Sequence, residues 1–502
     1  MTEAADLVLR DGRVKTLAGE TAEAVAVRNG QIVSVGRSSQ LSFLVGVETT
    51  VIDLDDRVVV PGFIDAHTHM DLLGKQQVEA DLSAAESPGG CLDRLAARRE
   101  ETDGWILGFG YDESRWNGTY LTREQLDAVS TERPVVAYRE DLHTASVNSA
   151  VLDQFGDELP DEYVDTESGT PTGVLREDAL SALREQIDPD PERIREYLLT
   201  AQAYAHRHGV TSVHDIVRDA TVARTYRELD RDGDLALRVR LNYTADYFDA
   251  IGDVGLVTNH GTDRLRNGAI KAFADGSFGS RTARLSEPYA DGEGRGEWTT
   301  PPGELAALAG RIDDAGLQAM IHAIGDEAVD VAVDSYEGTT DRRHRIEHAE
   351  LLSEAAIETA AANGVVVSVQ PNFLKWAREG GLYDQRLGEK RRRRTNPFRR
   401  ILDADIPLAF GSDCMPMDPL FGIEQATTAP EDSQRLDTTE AVRAYTRGGA
   451  YAGFAEDRLG TIERGKRGDF AVLDQSPWEC SGIASLAVEM TVVDGAVVYD
   501  QL

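Results

Sequence analysis

The sequence predicts an α/β protein: a (β/α)8 TIM-like barrel with a small β-sandwich formed by both chain ends and an inserted lid region. Apolar runs alternate with helical segments through the middle of the chain, the pattern of a parallel sheet. Eight such runs can be counted, the number that closes a barrel. Both ends instead carry short alternating strands punctuated by Asp-Gly and Asn-Gly, the strongest short hairpin signals.

Residues 7–54 read as a small antiparallel sheet with turns at Asp11-Gly12 and Asn29-Gly30, and residues 468–474 and 490–499 repeat the style around Asp494-Gly495. Edge strands seek partners, so the two ends are expected to join. This assigns 1–58 and 456–502 to the sandwich and 59–455 to the barrel. The first barrel strand opens in the run 58–70, broken by Pro61 and Gly62. The others are expected at 134–138, 210–213, 269–273, 317–321, 344–346, 365–369 and 407–410. Between them lie helices such as 191–208, with Pro191 at its start and Gly209 just beyond its end. The intervals at about 71–132 and 148–190 are too long for ordinary connections and are expected to form an inserted lid. Trp105, Phe109, Tyr111 and Trp116 make the first of them an ordered segment.

The chain of 502 residues has 52 lysines and arginines against 88 aspartates and glutamates, a net charge of -36, which argues against nucleic acid or an anionic membrane as partner. Only six of those cations are lysine, and so acidic a surface fits a halophilic protein kept soluble in a high-salt cytoplasm. Cys91, Cys414 and Cys480 are far apart and form no Cys-x-x-Cys, so neither a disulfide framework nor a zinc clip is indicated. With no signal-like N-terminus and no apolar run of 18 residues, a cytoplasmic protein is expected.

His67 and His69 are separated by one residue and so point to the same side of an extended strand, half of a metal site. Other strands end in further donors: Gln318-Ala-Met-Ile-His322, Arg345-Ile-Glu-His348 and Leu408-Ala-Phe-Gly-Ser-Asp413. Four imidazoles and one carboxylate suit one or two divalent ions, zinc first, with manganese, iron, nickel or cobalt also compatible. Lys271 stands in the middle of an apolar strand and needs a partner or a depressed pKa. Carboxylated by carbon dioxide it would bridge two metals; uncarboxylated it would pair with Asp275 or a metal-bound carboxylate.

These motifs, with Asp141-Leu-His143-Thr-Ala-Ser-Val-Asn148, Gly209-Val-Thr-Ser-Val-His214-Asp and the segment from Lys271 to Arg281, resemble the amidohydrolase superfamily. Within it they resemble the amidohydrolase family 3 or YtcJ-like branch, similar to N-substituted formamide deformylases. The resemblance implies a metal-dependent hydrolase in which His67, His69, His322, His348 and Asp413 ligate, with Lys271 as a carboxylated bridge. It further implies a homodimer and a small-molecule substrate whose non-peptide C–N bond, in an amide, formamide or carbamate, is cleaved by metal-bound hydroxide. Asp413 would shuttle the proton, with His322 and His214 as further catalytic candidates. His143 and Arg281 are candidates for substrate binding. A structural hydrogen-bonding role is the alternative for His143 and His214, and a lid carboxylate is the alternative partner for Arg281. His206, His208, His260 and His344 read as surface or helix-end residues, and the basic run 390–394 as an entrance for an anionic substrate or, alternatively, as a helix face that neutralises neighbouring acidic residues or a subunit interface. Alternative readings of the whole are a mononuclear deaminase, a cyclic-amide hydrolase or, lower, a non-catalytic assembly protein. If the acidic surface is an adaptation to salt, activity and unfolding midpoint should both rise with KCl, and an optimum at low salt would contradict it.

Overall fold

The computed structural model describes residues 3–19, 21–116, 118–140, 144–187, 191–340 and 342–502. Its central element is an eight-stranded parallel sheet of Phe63–Thr68, Val210–Val217, Arg238–Thr244, Leu265–Phe273, Gln318–Ala323, Arg345–His348, Val366–Val369 and Leu408–Phe410, neighbours in space in that same order. Most of these strands are buried along their whole length, as expected where helices cover a parallel sheet. Ile216, Ala269 and Met320 pack together as one apolar cluster, and Ala66, Val366, Ala409 and Ala452 as another.

The seam between the last strand and the first is closed by backbone and one carboxylate. The amides of Ser412 and Asp413 donate to the His67 carbonyl at 3.2 and 2.7 Å, while the buried Asp65 carboxylate accepts from the amides of Ser412 (2.9 Å) and His67 (3.1 Å). The approach requires glycine at 411, because a Cβ there would lie 2.5 Å from the His67 nitrogen.

The chain ends build two further sheets. One is ordered Gln31–Gly36, Ala24–Arg28, Leu7–Arg10, Thr50–Asp53. In the other, Val58–Pro61 pairs in parallel with Arg13–Lys15 and antiparallel with Phe470–Leu473, so N- and C-terminal segments share one sheet. Leu7, Leu9, Val25 and Val27 from the first sheet pack on Val59, Phe470, Val472, Met490 and Val492 from the second. At Gly62 the chain passes from this sheet into the barrel, and a Cβ there would lie 2.3 Å from Thr211 Oγ1.

Residues 71–201 form a compact unit of their own. Its sheet runs Val164–Glu167, Thr170–Arg176, Thr144–Val147, Val135–Arg139, Ile106–Tyr111, Ala80–Asp81. The aromatic residues are packed here: Phe109 stacks on Tyr138 (4.5 Å between centroids) and Trp105 on Phe155 (5.4 Å). Asn148 ties the unit together, accepting from the amides of Val135 and Val151 and donating to the carbonyls of Ser130 and Arg133. The segment 134–138, expected as the second barrel strand, therefore belongs to this sheet, and the barrel strand that the sequence pattern misses is Arg238–Thr244. Its Arg-Val-Arg-Leu-Asn-Tyr-Thr sequence lacks an apolar run because its arginines and asparagine are buried through hydrogen bonds. Among the described residues no helix is long and apolar enough to cross a membrane.

Gly411→Ala should lower the unfolding midpoint by the equivalent of about 1–3 kcal/mol, the range for overpacking a filled site. Thermal unfolding followed by near-ultraviolet dichroism would show it; an unchanged midpoint would mean that the seam can open without cost.

Candidate metal centre

Five of the candidate donors sit at the C-terminal ends of barrel strands, where the βα loops of this fold build their sites. Nitrogen and oxygen atoms of His67, His348 and Asp413 all lie within 4.8 Å of one another. His69 Nε2 lies 3.1 Å from Asp413 Oδ1, and His67 Nε2 3.7 Å from the same oxygen. The His348 ring is 4.7 Å from that of His67 and 4.5 Å from that of His322. Two of the donors leave their strands through left-handed backbone, His348 at φ 70° and Asp413 at 52°, each followed by another positive φ at Ala349 and Cys414. Such conformations are costly for residues with a Cβ. Here they are held by the Ala349 amide on the Ala323 carbonyl (2.9 Å) and the Asp413 amide on His67.

Lys271 is buried, and its Nζ has no hydrogen-bond partner among the described residues. Its Nζ lies 5.2 Å from the centre of the Phe273 ring, which also meets His322 at 5.5 Å and the Arg218 guanidinium at 5.8 Å. Burial pushes the Lys271 amine down to about 7. Burial likewise lowers His67 to about 4 and His348 to about 3, and His322 well below the ordinary imidazole value. Neutral imidazoles and an ionised Asp413 are the protonation states in which these groups ligate. With an orphaned buried amine beside them, the donors fit a divalent cation in number and type.

Behind the donors lies a second set of residues that carries no metal-ligand signature in the sequence. Glu347 Oε2 is 2.5 Å from His67 Nδ1, and the same carboxylate takes Arg345 Nε at 2.8 Å, with both side chains fully buried. Burial alone would raise the Glu347 carboxyl, but Arg345 and His67 hold it well below the usual range. Carboxylate–imidazole pairs of this kind fix the tautomer and ring angle of a metal-ligating histidine. His348 Nδ1 is held in the same way by Gln370 Oε1 at 2.7 Å. Asp275, three of whose hydrogen bonds come from the amides of Arg284, Ile324 and Gly325, shapes the loops beside His322. The one available signal was the strand Arg345-Ile-Glu-His348 itself, where opposite charges alternate in a buried segment.

The remaining candidates are placed differently. His214 stands behind the donors: its Nδ1 faces Arg345 NH1 at 2.9 Å, and Gly453 packs against its Nε2 side. Arg281 is paired at 2.8 Å with Asp291, a carboxylate of the loop after Leu265–Phe273 and not of the expected lid. His143 lies outside the described residues. His206 and His344 are buried, not on the surface; His344 accepts from the Ala319 amide and faces Asp313. In the basic run, Arg391 donates to carbonyls of Glu287 and Pro288, Arg392 pairs with Asp384 and Arg393 with Glu431, so these arginines act as structural ties. The segments 372–375 and 414–415 form one assembly: Asn372 Nδ2 donates to the Ser412 and Met415 carbonyls (2.8 Å each) and Lys375 Nζ to the Met415 carbonyl (2.7 Å). Phe373 lies parallel to the His348 ring at 6.1 Å.

Residues 50–499 match the amidohydrolase family. The chain belongs to that family. It is similar to YtcJ of Bacillus subtilis, 30% identical over 96% of this chain and 97% of that one. It is also similar to the N-substituted formamide deformylase of Arthrobacter pascens, 27% identical over 100% and 99%. The crystal structure of an uncharacterized metal-dependent hydrolase from Pyrococcus furiosus superposes with a TM-score of 0.83 at 30% identity, over 94% of this chain and 100% of that one. This amidohydrolase is therefore a metal-dependent hydrolase.

Glu347→Gln should weaken metal binding about 10- to 100-fold and destabilise the fold by about 3–5 kcal/mol, since Arg345 would be left buried without its counter-charge. Chelator competition and thermal unfolding read the two effects separately.

Proposed function

We propose that this amidohydrolase hydrolyses the C–N bond of an amide, formamide or carbamate in a small molecule. The observation that carries the reading is the orphaned Lys271 amine among the donors. An amine lowered to about 7 has a substantial unprotonated fraction at neutral pH, and that form adds carbon dioxide, releasing one proton to give a carbamate. The product is an anionic two-oxygen ligand, and it supplies the buried Nζ with the interaction it lacks. His67, His69, His322, His348 and Asp413 would hold the ion or ions, zinc by ligand type, with carboxylated Lys271 bridging if there are two. A bound ion supplies Lewis acidity, making water a nucleophile at neutral pH and polarising the carbonyl under attack.

The chain's own residues do the rest. Asp413 stands as a carboxylate beside His67 and His69, able to accept the proton of the attacking water and return it to the departing nitrogen. Glu347 and Gln370 hold the imidazoles in register while this happens. The similarity to a formamide deformylase supports a linear amide-type substrate. A deaminase would use a carboxylate close to His322. Asp275 has an oxygen 3.6 Å from His322 Nε2 but is engaged by the amides of Arg284, Ile324 and Gly325, and Asp326 and Glu327 are engaged by Ser286 and Arg284, which supports ranking hydrolysis of an amide-type bond first. All the donors are present, which favours catalysis over a scaffolding role.

Asp413→Asn should lower kcat by about 10²–10⁴ while leaving the dichroism spectrum unchanged. The assay is metal analysis followed by a panel of formamides, carbamates, N-acyl amino acids and cyclic ureides; turnover in the variant equal to the parent would remove Asp413 as proton carrier. Lys271→Ala should lose metal as well as activity, and added acetate should restore part of both if a carboxylate is what the site lacks.

A further inference from the structure

At the C-terminal end of the barrel the inward face of the strands continues past the donors. Side chains alternate along Val210–Val217, and Ile216 faces the barrel interior, where it packs with Ala269 and Met320. Lys271 and Phe273 follow Ala269 at steps of two and share its face, as His322 shares that of Met320, and Phe273 and His322 are register partners. Arg218 follows Ile216 by two residues and leaves the second strand on the same side. Its guanidinium lies over the half-buried Phe273 ring, 5.8 Å from the centre. The same ring has the Lys271 amine at 5.2 Å and the His322 ring at 5.5 Å. A positive charge is therefore set within the span of a small amide held at the donors.

This cation is unoccupied on its polar side. Arg218 is exposed, and its guanidinium has no hydrogen-bond or ion-pair partner among the described residues. The carboxylate next to it in the chain, Asp219, is turned away to cap the helix Ala220–Asp232, taking the Thr221 amide at 2.5 Å. Tyr247 fixes the backbone on either side, its hydroxyl donating to the Arg218 carbonyl at 3.4 Å and accepting from the Ala220 amide at 3.0 Å. Other cations in the loops at this end are engaged: Arg281 and Arg386 by Asp291, Arg284 by Glu327, and Lys375 by the Met415 carbonyl. An exposed arginine needs no partner to be stable. What distinguishes Arg218 is that its strand aims it at the donors and that, in a chain of net charge -36, no carboxylate has been placed on it.

We infer that Arg218 receives a carboxylate of the substrate, so that the amide cleaved at the metal centre belongs to an N-formyl or N-acyl amino acid. The inference rests on the C–N hydrolysis proposed above. In a formamide-type substrate the acyl side carries no substituent, so the anion is borne by the amine side. A guanidinium offers a planar pair of donors that matches a carboxylate, and an aromatic ring beneath it holds that plane in place. A single arginine supplies one charge, enough for a monoanion. A phosphate dianion would meet the same lone cation against the acidic excess of the whole chain.

The test compares matched pairs at constant ionic strength: the N-formyl derivatives of glycine, alanine, leucine and phenylalanine against the formamides of the corresponding decarboxylated amines. The parent enzyme should prefer the acids in kcat/KM by about 10- to 100-fold, the range for a hydrogen bond to a charged group, and added KCl should shrink the preference. Arg218→Gln should remove it, chiefly through KM, while leaving the neutral formamides and the unfolding midpoint unchanged. Arg218→Lys should restore part of it. The N-methanesulfonyl derivatives of the same amino acids and amines are not cleaved, and calorimetric titration with them reads the carboxylate site without turnover. A parent that hydrolyses none of the formamides would count against the C–N reading alone, and the sulfonamides would still decide the role of Arg218. Equal affinity for acid and decarboxylated sulfonamides, or a preference that survives Arg218→Gln, would overturn the inference.

Discussion

Glu347 is a carboxylate without solvent, set between the guanidinium of Arg345 and the imidazole of His67, and the geometry of the site depends on it. Its partners come from two strands far apart in the barrel order, so one charge ties the first strand to the sixth. Arg345 extends the tie: it also donates to the Ala66 carbonyl at 2.7 Å and to His214 on the second strand. A buried pair of this kind is a weak source of net stability but a strict one of geometry, because any shift of one member exposes the other to a dry interior. The metal-binding ring is thereby braced from below by an ionic layer that crosses the barrel.

Above that layer the donors are aimed by backbone more than by rotamer. His348 and Asp413 turn out of their strands in left-handed conformations that polypeptide adopts only when surrounding contacts impose them. For Asp413 these contacts are also the barrel seam. The hydrogen bonds that close the cylinder between its last and first strands run to the carbonyl of His67 and the carboxylate of Asp65. Closure and ligand placement are one set of interactions, so damage to the seam would reach the site directly. The 371–376 turn adds a second hold on the same loop through Asn372 and Lys375.

Charge is distributed unevenly in this molecule. The surface carries the large acidic excess, whereas arginine concentrates where strands begin and where long loops need ties. In the run 391–393, Arg391 is held by backbone carbonyls and Arg392 and Arg393 by carboxylates, so these residues contribute structure. Arg240 is the exception: it is buried with two nitrogens that have no hydrogen-bond partner among the described residues.

The sequence by itself determined the barrel and offered His67, His69, Lys271, His322, His348 and Asp413 as candidate donors. These readings follow from apolar periodicity, from ligand types at strand ends and from a lysine inside an apolar strand, all local properties of the chain. Where burial was achieved by pairing polar groups, local pattern failed. Arg238–Thr244 does not look like a core strand, while residues 134–138 do although they belong to another sheet. Only the tertiary structure decided that Glu347 orients His67, that His214 lies behind the donors, that Arg281 is held by Asp291, and that Lys271 and Arg240 are left with unmet hydrogen bonds. Each of these depends on which side chains from distant parts of the chain share a dry volume, and one-dimensional spacing does not contain that information.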